Sequence, residues 1–342
     1  MRITIKTVAE AAGVSIATVS RALRNDPSAN DETADRVRRI ARDLNYFPNS
    51  LAAGLRRKKT RTIGVIFNDL NNPFYTEILG EIGERLNDAD YSLVICYSRY
   101  DQEREQRNIA SLLSKRVDGI IISPIDERIR NLHILAENGV PAVVIDSTPY
   151  SDQLSYVYTD HLIGIRLSTE HLIENGHTRI ALITAPDQEE SRAQLFIRGF
   201  REALSAHGLE PRDELIVHSP DNTISGGYST FRGLLFPEGR YRQPPFTGVV
   251  TISDLLATGI YKLANECDLQ IPGDVSVVGY DNIEISSALT PPLTTVHQSR
   301  KRIGRESVTI LLNNIESETQ DIRRVSFNPR LVVRKSVRKL TP

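Results

Sequence analysis

The fold of the first part of this chain is decided by one short stretch, Gly13-Val14-Ser15-Ile16-Ala17-Thr18-Val19-Ser20-Arg21-Ala22-Leu23-Arg24. On a helix that begins at Ser15 and turns about 100° per residue, one face carries Val19, Ala22 and Leu23. The opposite face carries Ile16, Ala17, Ser20, Arg21 and Arg24. Such a face suits the DNA major groove, where arginine binds guanine O6 and N7 and small apolar groups meet thymine methyls. The stretch therefore predicts a recognition helix.

The flanking residues predict the rest of a three-helix unit. Thr7-Val8-Ala9-Glu10 has the pattern of a capping box that opens a short helix. Gly13 then supplies a turn, and Ser15 caps the second helix. A third helix is expected after an Asn30 cap, with apolar residues at helical spacing at Val37, Ile40, Ala41 and Leu44. The pattern is typical of a helix-turn-helix; a helical hairpin with a solvated basic face is the alternative.

The charge of the chain is divided unevenly along its length. Residues 1–61 hold 13 Lys and Arg against 6 Asp and Glu, a net charge of +7. The remaining residues have a net charge of −8, so the overall value of −1 combines a basic head with an acidic body. A basic head is what binding to DNA phosphates requires.

Composition excludes several classes of protein. The N-terminus is polar and no apolar run approaches the length of a membrane span, so we expect a cytoplasmic protein with neither signal peptide nor membrane association. Cys96 and Cys267 lie far apart in apolar contexts, which indicates buried, reduced thiols. No Gly-rich phosphate loop, nucleophile elbow or metal-ligand spacing is present, and the seven histidines are scattered. We therefore expect no catalytic residue, no metal, no cofactor and no enzymatic activity.

Residues 1–61 resemble the head of the LacI/GalR family of bacterial transcription regulators. The strings that carry the resemblance are Ile5-Lys6-Thr7-Val8-Ala9, Ala12-Gly13-Val14-Ser15, Thr18-Val19-Ser20-Arg21 and Leu44-Asn45-Tyr46-Phe47-Pro48-Asn49. Further motifs along the body extend the resemblance over essentially the whole chain. It implies a homodimeric repressor that binds double-stranded DNA at a pseudo-palindromic operator.

The body alternates short apolar runs with longer helical stretches. Ile63–Phe67, Leu93–Ile95, Val117–Ile122 and Ala142–Ile145 form a first series of strands. A second series follows at 180–183, 248–251 and 275–278. Continuous apolar strands separated by helices indicate parallel sheets covered on both faces, with a ligand cleft beyond the carboxyl ends of the strands. The predicted fold is α/β: a helix-turn-helix head and hinge helix, then two doubly wound parallel-sheet lobes, as in periplasmic binding proteins.

The resemblance supplies domain boundaries that composition does not. It implies a head at 1–48, a hinge helix and linker at 49–61, and an effector-binding core whose chain crosses between lobes near Asp160, Thr290 and Ser317. The N-terminal lobe is then formed by residues 62–160 and 290–317. The C-terminal lobe is formed by residues 161–289 and 318–342. Because the chain ends soon after Leu331-Val332-Val333 without a heptad tail, we expect a dimer rather than a tetramer.

The resemblance also implies a set of DNA contacts. In the family, the hinge segment orders on DNA and a leucine from each copy opens a central base step in the minor groove; the matching residue is Leu55. Here Ala53 and Gly54 replace the usual Arg and Ser, and glycine costs about 1 kcal/mol of helix stability relative to alanine. A flexible basic linker is the alternative. The candidate DNA contacts are Thr7, Ser15, Ile16, Ala17, Thr18, Ser20, Arg21, Asn25, Asn49, Ala52, Leu55 and Arg56.

Polar and aromatic residues just past the apolar runs are candidates for the effector site. Carboxylates accept hydroxyl hydrogen bonds and aromatic faces cover the C–H patches of a sugar ring, so we expect a sugar-like effector. For Asp254, a helix-capping role and ligand contact both remain open. The resemblance favours ligand contact for Asp146 and Asp281 and matches Phe74, Tyr75 and Gln298 to contacts in the family. The candidate effector contacts are Asp69, Phe74, Tyr75, Asp146, Asp160, Arg192, Ser253, Asp281 and Gln298.

Three positions depart from the sugar-binding pattern of the family. Ser147 stands where many relatives have Arg, Ser253 where they have Asn, and Phe196 where they have a second Arg; Arg192 is the candidate substitute for the latter. The identity of the sugar is therefore not implied. Two other classes are weighed against a repressor: a solute-binding protein for transport, which the basic head argues against, and a sugar-metabolising enzyme with an appended head.

Overall fold

The computed structural model describes residues 3–23, 26, 28–46, 59–125, 130–184, 192–317 and 321–340. They divide into two compact units, a head up to Thr60 and a body from Arg61 onward. The predicted hinge contacts Asn49, Ala52, Leu55 and Arg56, and also Asn25, lie outside the described residues.

The head is a three-helix unit built from α1 (Ile5–Ala12), α2 (Ile16–Leu23) and α3 (Asp31–Asp43). Gly13 adopts the left-handed φ of 65° that ends α1, which confirms the predicted turn. The caps at Ser15 and Asn30 are also confirmed, since the backbone amides of the third residues after them donate to their side chains. The three helices share a small core made of Val8, Ala9, Ala12, Val19, Ala22, Ala34, Val37 and Ala41.

The predicted start of the first helix is wrong by about one turn. Thr4, with extended backbone, is the capping residue, and Thr7 is its partner in the capping box. Thr7 therefore lies inside the helix instead of opening it with Glu10. Ile5 and Lys6 are compatible with helix, so the first available hydroxyl upstream takes the cap.

The body contains twelve strands and nine α-helices among its described residues. The strands are β1 (Thr62–Phe67), β2 (Ser92–Tyr97), β3 (Gly119–Ile122), β4 (Ala142–Ile145), β5 (Ser155–Thr159), β6 (Ile180–Thr184), β7 (Ile216–His218), β8 (Gly248–Thr251), β9 (Ser276–Asp281), β10 (Thr294–His297), β11 (Arg324–Phe327) and β12 (Arg330–Val332). The helices are α4 (Pro73–Asp88), α5 (Gln102–Ser114), α6 (Arg130–Glu137), α7 (His161–Glu174), α8 (Arg192–Ala206), α9 (Ile224–Leu235), α10 (Asp254–Glu266), α11 (Ile285–Ala288) and α12 (Arg300–Glu316), with 3₁₀ turns at Asp213–Leu215 and Pro237–Gly239.

Two six-stranded sheets organise these elements. The first lobe has the strand order β11-β5-β4-β3-β1-β2, and all its neighbours are parallel. The second lobe has the order β12-β10-β9-β8-β6-β7, in which only β12 is antiparallel to its neighbour. Strand order reverses beside the first strand of each sheet, so the carboxyl ends of the strands leave a crevice there. The predicted fold class is confirmed.

The boundaries of the two lobes differ from the predicted ones after the first crossing near Asp160. Strand β10 pairs with β9 in the second sheet, so residues 294–297 belong to the second lobe and not the first. Strand β11 pairs with β5, so residues 324–327 belong to the first lobe and not the second. The later crossings therefore lie near Gln298 and between β11 and β12. Strands β10 and β11 are short, and their sequences carry no pattern that assigns them to either sheet.

Each lobe has its own core, and the two lobes are also in contact. The β1 segment Ile63–Phe67 is buried throughout, as its continuous apolar run predicts. Leu255 and Ile283, which belong to the second lobe by chain order, pack with the first-lobe core that contains Phe74 and Tyr75. These contacts bring the two crevice walls together at one side.

Other features of the body bear on the excluded classes. Among the described residues, no helix combines the length and apolar character that crossing a membrane requires. The same residues contain no group of three or more His, Cys, Asp or Glu side chains arranged to hold a metal ion. Cys96 and Cys267 are free but only half-buried, so the expected full burial is wrong. Burial nevertheless raises the pKa of the Cys96 thiol.

Candidate functional site

The predicted recognition helix presents its expected face to solvent. Ile16 is 47% exposed, an unusual environment for a large apolar side chain in a small unit. Ala17 and Arg21 on the same face are also exposed, whereas Val19 and Ala22 on the opposite face are buried. The division into two faces follows the helical spacing of the sequence.

The hydroxyl groups near the start of α2 have local roles. Ser15 Oγ accepts a hydrogen bond from Thr18 N at 3.1 Å and lies 2.9 Å from Thr18 Oγ1. Thr7 is half-buried and its hydroxyl accepts from Thr4 N at 3.3 Å. Ser20 is half-buried on the helix. The face available to a groove is therefore carried mainly by Ile16, Ala17 and Arg21.

A cavity of about 320 Å³ lies in the body at the carboxyl ends of strands from both sheets. It is lined by Asn72, Phe74, Tyr75, Arg99, Tyr100, Ile125, Asp146, His161, Ala193, Phe196, Pro220, Asp221, Asn222, Ile252, Tyr280, Asp281 and Gln298. Its size falls at the lower end of the range for small-molecule sites in proteins, about 300–1,000 Å³. Aromatic rings and a few polar groups dominate the lining.

The cavity brings together five of the predicted effector contacts and leaves others outside. Phe74, Tyr75, Asp146, Asp281 and Gln298 all line it. Phe74 and Tyr75 are placed there by α4, whose start at Asn72-Pro73 is confirmed: Asn72 Oδ1 accepts from Phe74 N, and Pro73 opens the helix.

Three other predicted contacts do not line the cavity, because each has a local role. Asp69 Oδ1 accepts from Asn71 N in a turn. Asp160 caps α7 by accepting from Ile163 N, and Ser253 caps α10 by accepting from Leu256 N. The side chain of Arg192 lies outside what the structure describes, although its backbone begins α8.

Asp146 is held by groups from both lobes. It follows β4 with a left-handed φ of 53°, is 2% exposed, and accepts a hydrogen bond from Tyr75 Oη at 3.1 Å. Its other oxygen lies 3.3 Å from Nε2 of His161, the first residue of α7. His161 Nδ1 in turn lies 3.2 Å from Tyr280 Oη. The polar groups thus form a chain across the crevice.

Asp281 ends β9 and is contacted by Gln298, which follows β10 of its own sheet, and by Arg300, the first residue of the first-lobe helix α12. Its carboxylate accepts from Gln298 Nε2 at 2.7 Å, and its backbone carbonyl accepts from Arg300 Nη1. Arg300 also donates to the carbonyl of Asn282 and, through Nε, to Glu77 Oε2 at 2.7 Å. Burial raises the pKa of Asp281 well above its ordinary value, and the nearby Asp254 raises it further.

Asp254 lies behind Asp281 and neither caps its helix nor lines the cavity. Ser253 takes the capping role. Asp254 is fully buried, and its two oxygens accept from Thr295 Oγ1 at 2.6 Å and from Ile283 N at 2.8 Å. Burial raises its pKa to about 7, against the lowering effect of those hydrogen bonds and of Arg300. Its role is to fix the turn after β9.

Several lining residues were not among the predicted effector contacts, although the resemblance had singled out the position of Phe196. Phe196 and Tyr280 form an edge-to-face pair, with ring centroids 5.2 Å apart, against one side of the cavity. The side chain of Asn222, another lining residue, is hydrogen-bonded to Ser253, which caps α10. Their signal was positional: Asn222 directly precedes the cap of α9 and Tyr280 lies at the end of a strand. His161 carries the same signal, one residue past a crossing.

The chain is similar to known proteins in both its head and its body. Residues 4–49 match the family described as "Bacterial regulatory proteins, lacI family", and residues 169–337 match the "Periplasmic binding protein-like domain". The ribose operon repressor of Escherichia coli (strain K12) is 35% identical over 334 residues, which cover 97% of this chain and 99% of that protein. The chain belongs to the LacI family. The PurR repressor of Vibrio vulnificus (strain CMCP6) is 32% identical, over 98% of this chain and 99% of that protein.

Solved structures of LacI-family proteins share this fold over most or nearly all of the chain. The lac repressor dimer bound to operator and the anti-inducer ONPF superimposes with a TM-score of 0.82 at 30% identity, covering 99% of this chain and 100% of that chain. A LacI-family regulator from Enterococcus faecium with bound ribose gives a TM-score of 0.72 at 28% identity, over 82% and 100%. As a LacI-family member, the chain is a DNA-binding transcriptional repressor with a small-molecule effector. The family's members are such repressors and not enzymes.

Proposed function

We propose that the cavity binds a neutral monosaccharide and that this effector controls the binding of a homodimer to a pseudo-palindromic operator. The observation that carries the proposal is the pair of buried carboxylates, Asp146 and Asp281, facing one cavity together with Gln298 and several aromatic rings. In this proposal residues 1–48 bind DNA, residues 49–61 link head and body, and the two lobes bind the effector.

The chemistry of the lining favours a hydroxylated, uncharged ligand. Ionised carboxylates only accept hydrogen bonds, and sugar hydroxyls supply donors to them. A ligand carboxylate or phosphate brought next to an ionised Asp146 would be repelled in a poorly solvated site. Donors on the ligand also offset the burial that raises the pKa of Asp281. The apolar faces of Phe74 and Phe196 are available to the C–H side of a sugar ring.

The size of the cavity and the similarity to known proteins narrow the class further. About 320 Å³ suits one sugar ring better than an oligosaccharide. One relative is named for the ribose operon, and one solved family member has ribose bound. We extend this to the present chain as a proposal: a pentose such as ribose is the first effector to test.

The DNA interface of the proposal rests on the outer face of α2. Arg21 is exposed and forms no ion pair with any residue that the structure describes, so its guanidinium is available to guanine. A solved relative, the lac repressor, binds its operator as a dimer. A homodimer of the present chain has twofold symmetry, which requires a pseudo-palindromic site. We propose no catalytic step for this chain.

A crossed pair of variants tests the proposal. Full-length protein would first select its site from a pool of random DNA duplexes, and binding of that site would be measured with and without D-ribose at one fixed salt concentration. Arg21→Ala should lose about 1–3 kcal/mol of specific DNA binding and relax one base position in each half-site, while sugar binding is kept. Asp281→Ala should keep operator binding and lose the response to sugar.

The outcomes separate the two halves of the proposal. Equal losses on selected and random DNA for Arg21→Ala would contradict its role in base reading. Unchanged calorimetric affinity for sugar in Asp281→Ala would remove Asp281 from the effector site. Turnover of any sugar by the purified chain would favour the enzyme alternative.

A further inference from the structure

His161 lines the cavity at the start of α7, where Asp160 and not His161 supplies the helix cap. It is only 2% exposed, whereas histidine is on average a residue of intermediate burial. Its ring lies between Asp146 of the first lobe and Tyr280 of the second, and it packs 5.2 Å from the ring of Phe196. A buried imidazole with polar groups at both ends has a defined orientation.

The hydrogen-bond network assigns the tautomer. An ionised Asp146 has no proton to give, so the nitrogen facing it, Nε2, carries the hydrogen. Nδ1 of the neutral ring then accepts from Tyr280 Oη, 3.2 Å away. Gly164, one turn further along α7, allows this contact, because a Cβ at that position would collide with the Tyr280 hydroxyl.

Nε2 of His161 lies near Asp146 but forms no hydrogen bond with it. The nitrogen lies 3.3 Å from the Asp146 carboxylate, yet the two do not form a hydrogen bond, and this buried nitrogen has no other hydrogen-bond partner among the described residues. A buried donor without a partner is costly. His161 and Asp146 both line the cavity, so a ligand atom placed between them is within reach of the donor.

We propose that His161 and Asp146 together recognise one hydroxyl group of the effector, and that His161 is thereby a specificity-determining residue. The hydroxyl donates to the carboxylate of Asp146 and its oxygen accepts from Nε2 of His161. The inference rests on the proposed function, because it assumes a hydroxylated ligand in this cavity. His161 belongs to the second lobe and Asp146 to the first, so the recognised hydroxyl would contact both lobes.

The opposite wall offers a parallel arrangement. Gln298 donates to Asp281, while its Oε1 is buried and without a hydrogen-bond partner among the described residues. Gln298 Oε1 therefore offers the ligand an acceptor, whereas the wall of Asp146 and His161 offers both an acceptor and a donor. The ligand group at His161 must both donate and accept, which a hydroxyl does and an ether oxygen, a fluorine or a hydrogen does not.

Calorimetric titration of full-length protein tests this pairing. The probes are D-ribose, D-xylose, D-glucose and D-galactose, and the tightest-bound sugar is then compared with its monodeoxy analogues. His161→Asn shortens the side chain and withdraws the donor, and we expect at least a tenfold loss of affinity for the parent sugar. His161→Gln, which keeps an amide donor at longer reach, should restore part of it. His171→Asn, on the same helix but outside the cavity lining, is the matched control and should bind like wild type.

The deoxy sugars distinguish recognition from a merely structural role. For the one analogue that lacks the recognised hydroxyl, wild type and His161→Asn should bind with equal affinity, while every other analogue should show the tenfold difference. Equal binding of the parent sugar by wild type and variant would overturn the role of His161. A uniform loss across all analogues would do the same, because it would mark a general effect on cavity shape. If wild type binds no neutral sugar, the proposed function fails, and this inference fails with it.

Discussion

Asp146 and Asp281 occupy equivalent places in the two lobes but are held in different ways. Each follows or ends a central parallel strand, each has a positive φ, and each faces the same cavity. The carboxylate of Asp281 accepts from Gln298 on its own side, and its backbone carbonyl accepts from Arg300 of the first-lobe helix α12. Asp146 is contacted by Tyr75 of its own lobe and by His161 across the crevice.

The difference shows that aspartates at equivalent positions in two similar sheets can meet the other lobe through different groups. The carboxylate of Asp281 is bound by Gln298 at the crossing that follows β10, and the first lobe contacts its backbone carbonyl through Arg300. The surroundings of Asp146 include a side chain that starts the second lobe. A ligand or substitution that alters lobe closure should therefore act on Asp146 through its carboxylate contacts, and on Asp281 through the hydrogen bond from Arg300 to its backbone carbonyl.

The largest expected effect comes from removing the anchor of the Asp281 wall. Arg300→Ala should lower the free energy of unfolding of the body by about 3–5 kcal/mol, because it leaves two carbonyls and Glu77 without their donor. Urea denaturation measures this. Arg305→Ala is the matched control, since Arg305 also pairs from α12 with a glutamate of α4 but is more than half exposed. If both variants unfolded at the same urea midpoint, the anchoring role of Arg300 would be contradicted.

A somewhat smaller effect is expected from the carboxyl behind Asp281. The pKa of Asp254 in the folded chain is about 7 instead of 3.8, so its stabilising protonated form is lost as the pH rises toward and through 7. Between pH 5 and pH 8, the free energy of unfolding should fall by roughly 2–3 kcal/mol through this group. Asp254→Asn should flatten that fall, while the exposed Asp213→Asn should keep the wild-type profile. Identical pH profiles for wild type and Asp254→Asn would refute the assignment.

The smallest expected effect concerns the Asp146 wall. Tyr75→Phe removes one hydrogen bond to a buried carboxylate and should cost about 1–2 kcal/mol of stability, measured by thermal unfolding. Tyr228→Phe removes a hydroxyl that donates to Glu266 at the surface, and no measurable change is expected. If Tyr75→Phe also leaves stability unchanged, Asp146 does not depend on its own-lobe donor, and the contrast with Asp281 becomes sharper.

The sequence predicted the sheet architecture because continuous apolar strands must be buried on both faces. It also indicated Asp146 and Asp281, since the carboxyl end of a parallel strand points to the crevice. Position after a strand does not by itself separate these two from Asp69 and Asp160, which follow strands equally closely but serve local turns and caps; only the family resemblance favoured Asp146 and Asp281. The choice depends on which strand ends face each other, and that is fixed only when the two lobes meet.

The same reason explains why His161 was missed. It carries no periodic signal and belongs to no motif; its significance comes from an aspartate in the other lobe and a tyrosine 119 positions away. The positions of the later crossings between the lobes could not be predicted for a similar reason. Strands β10 and β11 are four residues each, and only their pairing partners show which sheet they complete.

The position of β11 and β12 has a consequence for the order in which the chain matures on the ribosome. These two short strands form the outermost positions of the two sheets, one in each lobe, and they are the last strands to be synthesised. The core of the head draws only on residues up to 46, so it has every residue it needs hundreds of codons earlier. During translation, the part of the chain that reads DNA can thus be finished while both halves of the sensor still await an edge strand.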